Sequence, residues 1–113
     1  MNYLSKFAFI KFKFQMVIIT IKTIQDYGKA HINAVDALND WYIRTKLADW
    51  SNLNELKEDF PSCDYVGNVR FVFNIKGNRY RLIIIIHFDI RTVYIRFIGT
   101  HAEYDKISDI QYI

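Results

Sequence analysis

The stretch RYRLIIIIHF, residues 79–88, constrains this chain more than any other part of it. Isoleucine is β-branched and fits extended backbone, so four in a row read as a strand. Successive strand side chains point to opposite faces, so an unbroken apolar run is apolar on both. The strand must then be covered on both faces along part of its length. Two further strand-like runs flank it, NVRFVFNI at 68–75 and TVYIRFI at 92–98. The KGN of 76–78 signals a tight hairpin turn, and the DIRT of 89–92 a looser one. Connections this short predict a three-stranded antiparallel meander.

Alternation then sorts the side chains. Arg70, Val72 and Asn74 share one side of the first strand, opposite Phe71, Phe73 and Ile75. Arg81, Ile83, Ile85 and His87 share one side of the second, and Tyr94, Arg96 and Ile98 one side of the third. With the middle strand covered, the basic side chains can gather only near strand ends and loops.

Upstream the period is different. MVIITIK (16–22) is a β-branched run of strand length. Thr23 and Asp26 follow at N-cap and N3 spacing, and Gly28 is expected to bend or interrupt what comes next. From Ile32 the apolar positions Ile32, Val35, Leu38, Trp41 and Tyr42 recur at helical spacing. SNLNELKEDFP reads as another helix. Asn52 and Glu55 suit its start, Leu53, Leu56 and Phe60 its buried side, and Pro61 its stop. The order is N-terminal strand, two to three helices, three-stranded meander, short C-terminal helix: a small α+β domain with helices on one sheet face and the other face partly open.

Charge divides along the chain. Residues 1–15 hold Lys6, Lys11 and Lys13 and no acid, leaving 16–113 with twelve bases against twelve acids. Within that neutral body, 24–64 carries eight acids and four bases, whereas 65–100 carries six bases and the single acid Asp89. A basic segment of this kind attracts polyanions. The alternative, equally open here, is that its arginines form ion pairs with the acidic half.

GTHAEYDKI (99–107) closes the meander. Thr100 and Glu103 have capping-box spacing, which predicts a helix start and accounts for Glu103 by structure alone. In a helix from 101, His101, Tyr104 and Asp105 fall at i, i+3 and i+4, on one surface. An imidazole and a phenol beside basic strands suit phosphodiester chemistry without a metal. A surface or capping role is the commoner fate of a histidine so placed, and packing that of a tyrosine. Both readings stand at this point. His31 and His87 are read as structural.

Other chemistries lack their parts. No HExxH, GxSxG, GxGxxG or P-loop pattern occurs, no metal site and no cofactor are expected, and the lone Cys63 fits a reducing compartment. Nothing approaches the ~18 consecutive apolar residues of a membrane span. The opening MNYLSKFAFIKFKFQ is a poor signal peptide, so a cytoplasmic location is expected.

LNDWYIRTKLADW, FVFNIKGNRYRLIIII and VYIRFIGTHAEYDKI, in that order and spacing, closely resemble the HigB family of bacterial toxins, part of type II toxin–antitoxin systems and of the RelE-like superfamily. The resemblance runs from Met16 to Ile107. Residues 1–15 lie outside it, as an upstream start or a basic arm, with the first reading favoured, and 16–113 form one toxin domain. The resemblance implies a RelE-like fold, neutralisation by a HigA-type helix-turn-helix antitoxin, and endoribonuclease cleavage of mRNA, usually on the translating ribosome. It also implies a site. The arginine of the YRL strand, Arg81, matches a position used in related nucleases, and His101 and Tyr104 match the superfamily's C-terminal His/Tyr region. Lys76, Arg79, Arg96 and Lys106 join them as RNA contacts by charge and nearness in sequence. Two rival readings remain: a non-catalytic RNA- or ribosome-binding module, and an inactive relic that only binds its antitoxin.

Overall fold

The computed structural model describes residues 15–113. Apart from Gln15, the expected extension over 1–15, with its three lysines, lies outside the described residues. Strands β1 (Val17–Ile19), β2 (Asp64–Gly67), β3 (Arg70–Ile75), β4 (Tyr80–His87) and β5 (Thr92–Thr100) form one sheet in the order β1-β5-β4-β3-β2. Helices α1 (Lys22–Ala30), α2 (Val35–Leu47) and α3 (Leu53–Asp59) precede β2, and α4 (His101–Asp105) follows β5. This is the expected α+β domain. The sheet is mixed, because β1 runs parallel to β5 while the other pairs are antiparallel.

The isoleucine strand β4 is central and covered on both faces, with Leu82, Ile83 and Ile84 fully buried. Tyr80, Leu82, Ile84 and Ile86 join Phe71, Phe73 and Ile75 of β3 and Val93 and Ile95 of β5 in one core with Leu38, Trp41 and Leu56 from the helices. Aromatic edges tie the layers together: Trp41 against Phe73, Phe73 against Phe60 and Phe60 against Trp50, at 5.7, 5.0 and 5.8 Å between ring centres. Burying such rings is the largest apolar gain available to a small domain.

Several local expectations are corrected. Strand β1 stops at Ile19, because Thr20 takes a left-handed backbone (φ 68°) and turns the chain into α1. Thr23 lies inside α1 rather than capping it, and Asp26 pairs with Lys22 at 2.6 Å. Gly28 does not interrupt α1 either; it is buried where a Cβ would stand 3.2 Å from Val35. The break falls at His31, and a single 3-10 turn (Ile32–Ala34) leaves Ile32 exposed. In α3 the Asn52 cap forms as expected, accepting from the Glu55 N–H at 2.9 Å, but Leu53 is exposed and only Leu56 is fully buried.

Two corrections concern the sheet. The meander has a further strand: β2 pairs with β3 across a turn whose Gly67, Asn68 and Val69 all have positive φ. The short DYVG carries no strand periodicity, and Val69 is β-branched, so the sequence does not signal this turn. Strand β5 also contains a β-bulge. Ile83 and Ile84 pair with Phe97 and Ile95, leaving Arg96 as the extra residue. One extra residue shifts the alternation, so Ile98 stands opposite Leu82 on the core side while Tyr94 stands opposite Ile85 on the other. Tyr94, Arg96 and Ile98 therefore do not share a side.

The tail after α4 returns to the β2–β3 hairpin. Gln111 Nε2 donates to the Val66 carbonyl and Asn68 Nδ2 to that of Gln111, both at 2.8 Å, and Arg70 Nη2 donates to Ile113 O at 2.8 Å. Gly67 is needed here: its φ is 95°, and a Cβ would lie 2.6 Å from Gln111 Nε2. Among the described residues no helix is long and apolar enough to cross a membrane.

Candidate active site

The end of the sheet where β4 begins and β5 finishes is built around the turn into α4. The capping box read from the sequence is present: Thr100 Oγ1 accepts from the Glu103 N–H at 3.1 Å, and Glu103 Oε1 accepts from the Thr100 N–H at 2.7 Å. Those bonds hold the Glu103 carboxyl below the usual range. The His101 N–H donates to the Arg79 carbonyl at 3.1 Å, stitching the helix start to the turn that leads into β4.

Arg81 pairs with Gly99, and the missing side chain matters. A Cβ on Gly99 would meet the Phe97 ring at 2.5 Å and Glu103 Oε1 at 3.0 Å. The helix instead brings Tyr104 to Arg81, with the guanidinium carbon 5.3 Å from the ring centre, a cation–π contact. Arg81 Nε is buried and has no hydrogen-bond partner among the described residues. A buried polar atom without a partner is uncommon in a folded protein. Burial pushes the Tyr104 phenol up; Arg81 pulls it down, while Asp64 and Asp105 add to the rise. The ring is therefore a neutral hydrogen-bond donor at physiological pH.

His101 lies one turn before Tyr104 on the same short helix, so the two share a surface. Its Nδ1 stands 3.0 Å from Asp105 Oδ2. The fold thus brings Arg81, Tyr104 and His101 to one corner of the molecule, with Arg79 attached through its main chain. The other residues are more scattered. Lys76 Nζ donates to the Asn33 carbonyl at 2.9 Å, turned toward the helical layer. Arg96 is exposed on the bulge of β5, and Lys106 is exposed at the end of α4.

Whether the basic segment is neutralised by the acidic half is answered here. Among the described residues, Arg91 makes the one ion pair between them, with Asp49 at 2.7 Å. Sequence reasoning singled out neither Asn74, the cross-strand partner of Arg81, nor Asp64, whose charge reaches Tyr104. The first was missed because the turn read from the sequence, 76–78, is one residue shorter than the observed turn of 76–79, which sets 74 opposite 81. The second depended on the unsignalled strand β2. His31 stacks on Tyr27 at 3.9 Å and His87 meets Tyr94 edge-on at 5.9 Å, consistent with their structural reading. Cys63 is free and buried, which pushes its thiol up to about 12 and leaves it a poor nucleophile. Among the described residues no group of three or more His, Cys, Asp or Glu could hold a metal ion.

Residues 34–107 match the model of the HigB toxin family, described as the RelE-like toxic component of a toxin–antitoxin system. The chain belongs to the HigB toxin family. That match spans both α2 and the corner formed by Arg81, His101 and Tyr104. Among HigB relatives, the mRNA interferase HigB of Escherichia coli O6:H1 (strain CFT073) is 30% identical over 95 residues, covering 82% of this chain and 92% of the relative. The mRNA interferase toxin HigB of Escherichia coli (strain K12) is 42% identical over 58 residues, covering 49% and 55%. The mRNA interferase HigB of Shigella flexneri matches to the same extent.

Proposed function

We infer that this HigB chain arrests translation by cutting mRNA on the translating ribosome, without a metal ion, through attack of a ribose 2′-OH on the adjacent phosphate. Its endoribonuclease activity rests on the family and on relatives named as mRNA interferases, and an antitoxin partner follows from the same family. The mechanistic reading rests on one observation above all: Arg81 is packed on Tyr104 with a buried nitrogen that no group among the described residues satisfies.

In this reading Arg81 grips the non-bridging oxygens of the scissile phosphate and offsets the charge that grows there. His101 Nε2 takes the 2′-OH proton. The 2′-oxygen bonds to phosphorus as the bond to the 5′-oxygen breaks, and that oxygen leaves with a proton from solvent. The products are a 2′,3′-cyclic phosphate and a 5′-hydroxyl. Tyr104 supports the guanidinium and stacks on or orients the nucleotide. Arg79, Lys76, Arg96 and Lys106 meet flanking phosphates.

Primer extension on mRNA from arrested cells tests the reading. Discrete new 5′ ends that disappear with Arg81→Ala and with His101→Gln support it; wild-type arrest and cleavage in both variants would overturn the assignment. A message carrying 2′-deoxyribose at the cut position should survive, and purified RNA should be cut far more slowly than ribosome-bound message. The partner, in this reading, is a HigA-type helix-turn-helix antitoxin, encountered in the cytoplasm, whose acidic segment masks the Arg81 corner. Its affinity should then fall as salt rises.

A further inference from the structure

We propose that the sheet face beside Arg81 is a stacking platform for mRNA. Phe97 and Tyr94 each carry a base of the nucleotides flanking the cut, and Arg96 meets the phosphate between them. The proposal rests on the reading of the Arg81 corner as the cleavage site.

The platform is a product of the bulge in β5. Ile95 belongs to the core, so alternation sends Tyr94 and Arg96 to the opposite face. In an unbroken strand Phe97 would then turn back to the core. The extra residue instead sets Phe97 opposite Ile83, which shares its side of β4 with Arg81. Phe97 is accordingly half-buried and outside the core, whereas Ile98 packs against it. Its ring extends over Gly99, where a Cβ would meet it at 2.5 Å, and Gly99 is the cross-strand partner of Arg81. The platform thus begins beside the guanidinium. Tyr94, opposite Ile85, stands two β4 residues further on, about 7 Å along the strand. His87 braces its ring edge-on, with ring centres 5.9 Å apart.

The rest of this face fits RNA better than it fits a protein. On β1, β3, β4 and β5 it carries Arg70, Arg81 and Arg96 and no acid; Asp64 lies on β2, at the far edge of the sheet. Arg70 is turned to the main chain of Ile113, but Arg96 is exposed, with no hydrogen bond or ion pair among the described residues. The tail that follows α4 is tied to the β2–β3 hairpin. At the β1 edge Val17 and Ile19, the latter paired with Tyr94, remain 55% and 39% exposed. Aromatic rings interleaved with unpaired cations are the means by which single-stranded RNA is held, because every base has a face to stack and every nucleotide a charge to meet.

The test uses the full chain in a translation extract. A defined message carries 2′-deoxyribose at the cut position and 4-thiouridine at single positions on either side of it. Irradiation should join the label adjacent to the cut to the peptide holding Phe97, and the label one nucleotide further to the peptide holding Tyr94, as read by mass spectrometry. On a cleavable message, Phe97→Ala and Tyr94→Ala should each raise KM about tenfold at unchanged kcat. Phe97→Trp and Tyr94→Phe, which keep a ring, should stay near wild type. An unchanged KM in both alanine variants, or adducts that all fall outside β5, overturns the proposal. Weakened antitoxin binding at unchanged KM also overturns it, assigning the face to the protein partner. Wild-type cleavage in Arg81→Ala overturns instead the reading of the cleavage site. An inactive Arg81→Ala beside unaffected alanine variants overturns the platform alone, so the two failures are distinguishable.

Discussion

Two arginines of the basic segment sit at opposite ends of the β4–β5 pair and have opposite fates. Arg91, at the turn between these strands, gives Nε to Asp49 at 2.7 Å and Nη1 to the Phe88 carbonyl at 2.7 Å. Both partners of that ion pair are mostly buried, at 23% and 21% exposure. Arg81, at the start of β4, is set against Tyr104, with Nε buried and unsatisfied. Two guanidiniums of one sheet are thus used in two ways. The charge at the Arg91 end is matched and closes the fold; at the Arg81 end Nε has no partner among the described residues, which is what the proposed phosphate grip would use. A satisfied buried charge contributes structure, whereas an unsatisfied one is a liability unless something else binds it.

The largest expected effect lies at the open end. His101→Gln should lower the single-turnover rate of mRNA cleavage about 10²–10⁴-fold, the usual cost of losing a general base. Its thermal midpoint should stay near wild type, because the half-exposed ring packs against little. Next comes Arg81→Ala, expected to cost about 10²–10³-fold in cleavage, as loss of a charge-stabilising donor does. Melting curves should show a smaller loss of stability than Arg91→Ala causes, since the contact with the Tyr104 ring is given up but no ion pair is broken. A large drop in midpoint would erase the contrast with Arg91.

Arg91→Ala should do the reverse. It strands Asp49 and destabilises the fold by about 1–3 kcal/mol, read by urea unfolding, while cleavage per folded molecule stays at the wild-type level. Loss of cleavage without loss of stability would place Arg91 in the site.

The smallest effect concerns the cap beneath the open end. The Glu103 carboxyl is held below its ordinary value by its bonds to Thr100. Its contribution is present above the ordinary glutamate pKa, about 4.3. It is lost as pH falls through the lower folded value. Glu103→Gln should therefore flatten the acid side of the stability curve slightly and leave neutral pH nearly unchanged. An acid limb identical to wild type would separate the cap from the stability of this corner.

Much of this was legible in the residues. The isoleucine run announced a central strand, the KGN turn announced the β3–β4 hairpin, and Thr100 with Glu103 announced α4. Each is a local rule: side-chain period, turn chemistry, or a cap reaching three residues ahead. Strand β1 was read from MVIITIK, but its parallel pairing with β5 was not legible, nor were the strand β2 and the bulge at Arg96. β1 pairs with a strand over 70 residues away, and β2 depends on a turn that forces Val69 into a left-handed backbone. The bulge changes which residues share a face without leaving a mark in composition.

The site divides in the same way. Sequence alone placed Thr100, His101, Tyr104 and Asp105 on one short helix after a basic strand, because helical spacing and capping act over a few residues. It could not say which arginine would be neutralised. Asp49 and Arg91 are 42 residues apart in the chain, and nothing local to either reveals the other. Coulomb attraction and hydrogen bonding depend on distance in space, so only the folded sheet decided that Arg91 closes the structure while Arg81 remains open.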